Sequence, residues 1–242
     1  MTGQVLVLGG TAEARRLAEA LVAAGVDVLS SLAGRTADPL LPPGEVRIGG
    51  FGGAEGLAEW LRAHPVRAVV DATHPFAATM TAHAVEAAAA TGTPYLRLQR
   101  PGWRSQPGDD WRWVGSLEEA AEAVAGFAHV FVTTGRTGLG AFAGLNREVL
   151  VRSVDPPEQP LPPRTTVVLE RGPFTVDDEL ALMREHAVDV VVTKDSGSHL
   201  TEAKLTAARQ LGVPVVVVRR PPLPAGLPVV ETVEQALAWL RH

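Results

Sequence analysis

Residues 4–14 read Gln-Val-Leu-Val-Leu-Gly-Gly-Thr-Ala-Glu-Ala, and this stretch decides the fold. Val5 to Leu8 is an apolar run of strand length, Gly9-Gly10-Thr11 is a turn, and the residues behind it place Leu17, Leu21 and Val22 on one helical face. A strand that passes through a glycine turn straight into a helix opens a βαβ unit. Such a turn has a chemistry of its own. Glycines let backbone amides approach a phosphate, and the helix N-terminus adds about half a positive charge facing it. Thr11 either caps the helix or hydrogen-bonds a pyrophosphate oxygen. The match to the dinucleotide fingerprint G-x-G-x-x-G is partial, because its last position is not glycine.

The same scheme recurs outward from this unit. Strand-like runs are predicted at Val26 to Leu32, Ala68 to Asp71, Tyr95 to Leu98, Val130 to Thr133, Thr166 to Leu169, Val188 to Thr193 and Val213 to Val218, with a closing helix from about Thr232 to Leu240. The two halves also resemble each other. Gly50 lies over Gly172, His64 over His186, Val66 over Val188 and Asp71 over Thr193; Gly92-Thr93-Pro94 lies over Gly212-Val213-Pro214, and Arg100-Pro101 over Arg220-Pro221. The expected architecture is α/β: two Rossmann-like lobes with parallel sheets facing a central cleft, because open parallel sheets bind ligands beyond the carboxyl ends of their strands. Residues 1–98 form the nucleotide lobe of this expectation, 99–115 a crossover rich in Trp, Arg, Pro and Gly, and 116–242 the second lobe.

Composition narrows the function. The 242 residues are 46% hydrophobic and 20% charged, which suits a globular chain. With no cysteine, disulfides, thiolate metal sites and thiol nucleophiles are excluded. No metal-ligand cluster, targeting segment or membrane-length apolar run is visible, and a net charge of −5 argues against a general nucleic-acid surface. A cytoplasmic enzyme, monomeric by default, is expected.

The strand ends carry the chemistry. After the second run come Ser30, Ser31, Gly34, Arg35 and Thr36, with no acid until Asp38. Sites for NADH place an acid here against the ribose, whereas arginine and hydroxyls suit a 2′-phosphate, so NADPH is preferred. Gly49-Gly50-Phe51-Gly52-Gly53 permits close approach of a flat ligand on Phe51. Asp71-Ala72-Thr73-His74-Pro75-Phe76 follows the fourth strand, where His74 and Thr73 could orient a nicotinamide ring or the substrate. In the second half Thr133-Thr134-Gly135-Arg136, Glu170-Arg171-Gly172-Pro173-Phe174 and Thr193-Lys194-Asp195-Ser196-Gly197 put Arg136, Arg171 and Lys194 at one sheet edge, a field that attracts a polyanion.

These motifs, taken in order over nearly the whole chain with Ala33-Gly34-Arg35-Thr36, resemble the precorrin-6A reductase family. The resemblance implies an oxidoreductase of cobalamin biosynthesis that reduces one double bond of the precorrin-6A tetrapyrrole with NADPH, giving precorrin-6B. By position, Gly9, Gly10, Thr11, Glu13, Arg35, Thr36, Gly50, Phe51, Gly52, Asp71, Ala72, Thr73, His74, Pro75 and Phe76 would contact NADPH. Gly135, Arg136, Arg171, Lys194, Asp195, Ser196 and Lys204 would face the carboxylate-rich substrate in the cleft. The first candidates for proton donation are Lys194 and Asp195, with Lys204 and His74 behind them. The same reaction on a cobalt-bound ring and a non-catalytic NADPH-binding module remain as alternatives. A short-chain reductase is disfavoured, since the single tyrosine, Tyr95, lies in a strand pattern and has Gln99 where that chemistry wants lysine.

Overall fold

A computed structural model describes residues 3–34, 39–157 and 160–241. Along the chain, β1 (Gln4–Leu8), α1 (Ala12–Ala23), β2 (Val28–Leu32), β3 (Glu45–Ile48), α2 (Gly53–Ala63), β4 (Val66–Asp71), α3 (Ala78–Thr91) and β5 (Tyr95–Leu98) come first. Next are β6 (Trp111–Val114), α4 (Leu117–Val124), β7 (His129–Val132), β8 (Glu148–Ser153), β9 (Thr165–Leu169), α5 (Val176–Glu185), β10 (Val190–Lys194), α6 (Ala203–Leu211) and β11 (Val215–Val218). The chain closes with β12 (Val229–Val230) and α7 (Val233–Trp239). No helix among the described residues is long and apolar enough to cross a membrane.

Two six-stranded sheets result, ordered β12-β5-β4-β1-β2-β3 and β6-β11-β10-β7-β8-β9, and each strand pair is parallel. Central strands are buried on both faces, which explains their unbroken apolar runs. In β1, Val5 and Val7 pack with Leu17, Leu21 and the α7 side of the sheet, while Leu6 and Leu8 pack with Leu57, Leu61 and Ala84 on the other side. The second unit buries Phe131, Leu150, Val191 and Val217 against Leu180, Met183 and Leu205.

The two orders are the same order, and the outermost strand of each comes from the far half of the sequence. β6 and α4 follow β5 in the chain but β6 pairs with β11; β12 and α7 follow β11 but β12 pairs with β5. Both segments enter their helix alike, Ser116 Oγ accepting from the Glu119 amide and Thr232 Oγ1 from the Gln235 amide. The compact units are accordingly the stretch through Pro101 together with Pro221 onward, and Gly102–Arg220.

This corrects the expected boundaries. The second lobe does not run from 116 to 242, because β12 completes the hydrogen-bonded edge of the first sheet and α7 covers its core. Residues 99–115 are more than a connector, since Trp111–Val114 is a strand. Two strands with polar ends, Glu45–Ile48 and Glu148–Ser153, were not expected; β8 sits between β7 and β9 with most of its residues buried.

Candidate functional site

In a parallel sheet every strand points its carboxyl end to the same edge, so the turns after β1, β3 and β4 gather there. Thr11 joins two of them. Its hydroxyl accepts from the Ala14 amide at 3.1 Å, capping α1, and donates to the Ala72 carbonyl at 2.7 Å. Of the two sequence readings of Thr11, capping is the one observed. Gly10 is exposed at φ 103°, with open space where a Cβ would sit. The first amides of α1, Ala12 and Glu13, have no intrahelical acceptor. The Glu13 carboxylate is buried and bonded to Arg16 and Arg100, so it anchors Arg100 beside the turn.

Asp71 is also turned inward. It is fully buried, and one oxygen accepts from the Thr73 amide, the Thr73 hydroxyl and Arg97, while the other accepts from Thr81 and Tyr95. Arg97, likewise 0% exposed, holds Asp71 at 2.6 Å and also donates to the Thr73 carbonyl and to Gln99. Burial, then the Asp71 charge, pushes the Tyr95 phenol above its ordinary value, so it remains a donor. Both oxygens of Asp71 are thereby engaged inside the protein. Asp71 is the anchor that fixes Thr73 and the start of the turn, and Ala72 is buried with it. The turn's outer part is His74, exposed with Nδ1 accepting from the Phe76 amide at 3.2 Å, and half-buried Phe76, whose ring lies 5.8 Å from His74; Pro75 is buried. A depression between the turns is lined by Thr11, Ala72, Thr73, Pro75, Leu98, Gln99 and Arg100.

The glycine-rich turn after β3 is clamped from within. Arg47 donates to the Gly49 carbonyl at 2.5 Å and the Gly50 carbonyl at 2.7 Å, and its guanidinium lies 4.0 Å from the Phe51 ring centre. That ring also meets Trp60 edge-on at 5.4 Å. The expected flat ligand on Phe51 therefore meets a ring that Arg47 already covers on one face. Gly52 is required at φ 86°, but Gly50 has no positive φ and would place a Cβ in open space, with nothing within 4 Å, so no described residue demands glycine there. Arg35 and Thr36 lie outside the described residues.

The second unit presents its own edge after β7, β9 and β10. Arg136 is half-buried beside Gly135 at φ 83°, and Arg171 is exposed. Lys194 ends β10 half-buried, and burial lowers its pKa below the ordinary lysine value. Asp195, first in line beside Lys194 as a proton donor, faces inward. Its carboxylate accepts from the Trp103 amide at 2.9 Å and pairs with Arg220 at 3.3 Å, and its carbonyl accepts from Arg220 at 2.8 Å. It thereby ties together the two places where the chain enters and leaves this unit. Buried Ser196 accepts from the Ser198 amide and lies 3.5 Å from the Thr201 hydroxyl. Lys204 is 3% exposed, and its ammonium is bonded inward to the Thr201 carbonyl. Deeper still, Arg152 pairs with Glu179 at 2.6 Å and stacks on Phe174 at 3.7 Å, so the end of the Glu170–Phe174 motif packs inward.

Sequence reasoning missed Arg97, Arg47, Trp103 and the Arg152–Glu179 pair. Arg97 had a signal: an arginine between Leu96 and Leu98 in a buried strand needs a carboxylate on the adjoining strand, and Asp71 ends it.

The family described as Precorrin-6x reductase CbiJ/CobK matches residues 4–241. A Precorrin-6A reductase of Rhodococcus erythropolis is 54% identical over 240 residues, covering 98% of this chain and 97% of that one. A Cobalt-precorrin-6A reductase of Priestia megaterium is 33% identical, with 92% of each chain covered. A solved structure described as CobK precorrin-6A reductase superposes with a TM-score of 0.93 at 44% identity, covering 99% of this chain and 96% of that one. The strand-end turns, the paired sheets and these full-length likenesses lead to one conclusion: the chain belongs to the precorrin-6x reductase family.

Proposed function

We propose that this chain reduces one double bond of the metal-free precorrin-6A ring with NADPH, giving precorrin-6B in cobalamin biosynthesis, as a monomeric cytoplasmic enzyme. The observation that carries the reading is the Thr11–Ala72 hydrogen bond, which holds two ligand-facing turns of the first unit together at the carboxyl edge of its sheet. The metal-free ring is favoured over the cobalt ring by the higher identity to the Precorrin-6A reductase, 54% against 33%.

The first unit fits a dinucleotide. Open space at Gly10 and Gly50, with no described neighbour requiring glycine at Gly50, leaves room for a ligand against the backbone. Gly9, Gly10 and the first amides of α1 would hold the pyrophosphate, Gly50 and Gly52 the nucleoside, and Arg35 with Thr36 the 2′-phosphate. When bound, NADPH supplies the hydride. Thr73, His74 and Phe76, held from beneath by Asp71 and Arg97, orient the nicotinamide end, and most of the rate gain comes from such positioning.

Arg136, Arg171 and Lys194 hold the carboxylates of the tetrapyrrole in charge-assisted hydrogen bonds, alongside Gly135. Lys194 also gives the proton to the carbon next to the one that takes the hydride, its ammonium made a readier acid by burial. The test mixes the protein with NADPH and precorrin-6A and follows the nicotinamide absorbance, with NADH and cobalt-precorrin-6A as parallel arms. Fast loss with NADPH and the metal-free ring is expected. No oxidation in any arm overturns the reading, and faster loss with the cobalt ring overturns its substrate.

A further inference from the structure

Beneath the turn Lys194–Gly197 lies a buried lysine that the proposed reduction does not use. Lys204 sits in the first turn of α6. Its ammonium donates to the Thr201 carbonyl and stands 5.1 Å from the ring centre of Trp103. Both partners support the turn above. The Trp103 amide donates to the Asp195 carboxylate, and the Thr201 hydroxyl faces that of Ser196 at 3.5 Å. One ammonium thus touches two supports of one turn.

We propose that Lys204 is a positioning residue for the reduction: its ammonium holds Trp103 and Thr201, and through them keeps the turn Lys194–Gly197 in the form that receives the substrate. The proposal rests on the reading that this turn faces the tetrapyrrole.

Among the described residues Lys204 has no carboxylate of its own. Glu179 from α5 is the acid that acts on it, and Glu179 is already committed to Arg152 from β8 at 2.6 Å. Asp195 is engaged by Trp103 and Arg220. The charge is instead met by the Trp103 ring and a carbonyl dipole, both of which hold an ammonium better than an amine. Burial drives the Lys204 pKa from 10.5 down to about 7, Glu179 opposing that fall and Arg152 adding to it. The hold therefore weakens as pH rises through 7. Stability moves the other way. Between pH 7 and 10.5 the unfolded chain binds a proton that the folded chain does not, so the fold gains stability as pH rises across that window. A charged Lys204 is a burden on the fold below pH 7, and an apolar substitute of similar length relieves it.

That sign makes the test interpretable, because Lys204→Met should fold at least as well as the parent at pH 6. Tryptophan emission of the full chain without substrate is titrated for the parent, Lys204→Met and Trp103→Phe, each also carrying Trp60→Phe because Trp60 stacks on the His64 ring at 4.1 Å. A step near pH 7 is expected in the parent and in neither variant. In steady-state kinetics the parent's kcat/KM for precorrin-6A should fall as pH rises through 7. Lys204→Met should lose about tenfold to a hundredfold at pH 6 and show no such limb, and Lys204→Arg, charged throughout, should keep activity above pH 7. Affinity for NADPH should be the same in all. An emission step that persists in Lys204→Met overturns the proposal, as does a kinetic limb unchanged in both lysine variants while Lys194→Met raises the KM for precorrin-6A. If Lys194→Met leaves precorrin-6A kinetics untouched as well, the substrate-side reading of the turn has failed and takes the proposal with it.

Discussion

Asp71 pairs in register with Arg97 in the first sheet, and Thr193 pairs with Val217 in the second. The sheets have the same strand order, and the aligned halves lay Asp71 over Thr193, yet one place holds a fully buried ion pair and the other a threonine beside a valine. The second unit keeps its own buried pair, Arg152 with Glu179, between a strand and a helix. One scaffold therefore tolerates charge or its absence at the same spot, and the charge follows the turn above it. Where Thr73 must be held by its amide, hydroxyl and carbonyl at once, an aspartate and an arginine do the holding. Where the strand ends in Lys194, the row beneath, Thr193 with Val217, is neutral.

The largest effect should come from Asp71→Asn, which strands the Arg97 charge in the core. We expect a loss of about 3–5 kcal/mol in urea unfolding, against little change for Thr193→Val. The sharper test imports the second unit's row whole: Asp71→Thr with Arg97→Val should recover most of that stability, because no charge is left unpaired, while NADPH affinity stays low because Thr73 has lost its anchor. Recovery of both would mean that the pair serves the core alone.

Next in size is the loop after β2, which reads Gly34-Arg35, against Val154-Asp155 soon after β8. Arg35→Ala should cost NADPH about 1.5–3 kcal/mol of binding by calorimetry and leave NADH nearly untouched. Equal losses would remove the 2′-phosphate from Arg35. The smallest effect compares two caps. Thr11→Val should lower stability by about 1–2 kcal/mol and also weaken NADPH, whereas Thr232→Val in α7 should lower stability by about 1 kcal/mol without touching the nucleotide.

Much of the fold was legible because strands buried on both faces must be apolar throughout, and Tyr95–Leu98 and Val215–Val218 are largely so. The exchange of edge strands was not. β12 pairs through only Val229 and Val230, β6 hides in a tryptophan-rich segment, and which sheet an edge strand joins is decided by distant surfaces rather than local period. At the site, spacing located the turns but not the direction of their side chains. Asp71, Glu13, Asp195 and Lys204 carry the residue types that chemistry uses, and each points inward to partners such as Arg97, Arg100, Trp103 and Thr201. The first three of these pairings span 26, 87 and 92 residues and leave no mark in a local motif.

The exchanged edges also set an order of events during synthesis. A ribosome that has released β1 to β5 has made a sheet whose β5 edge is still bare, and bare edges recruit foreign strands. The strand that closes it, β12, is translated only after the whole of the second unit. The second unit has its closing strand, β6, before any of its other strands exist. Folding from the ribosome should therefore finish the second unit first, leaving the older half of the chain to mature last.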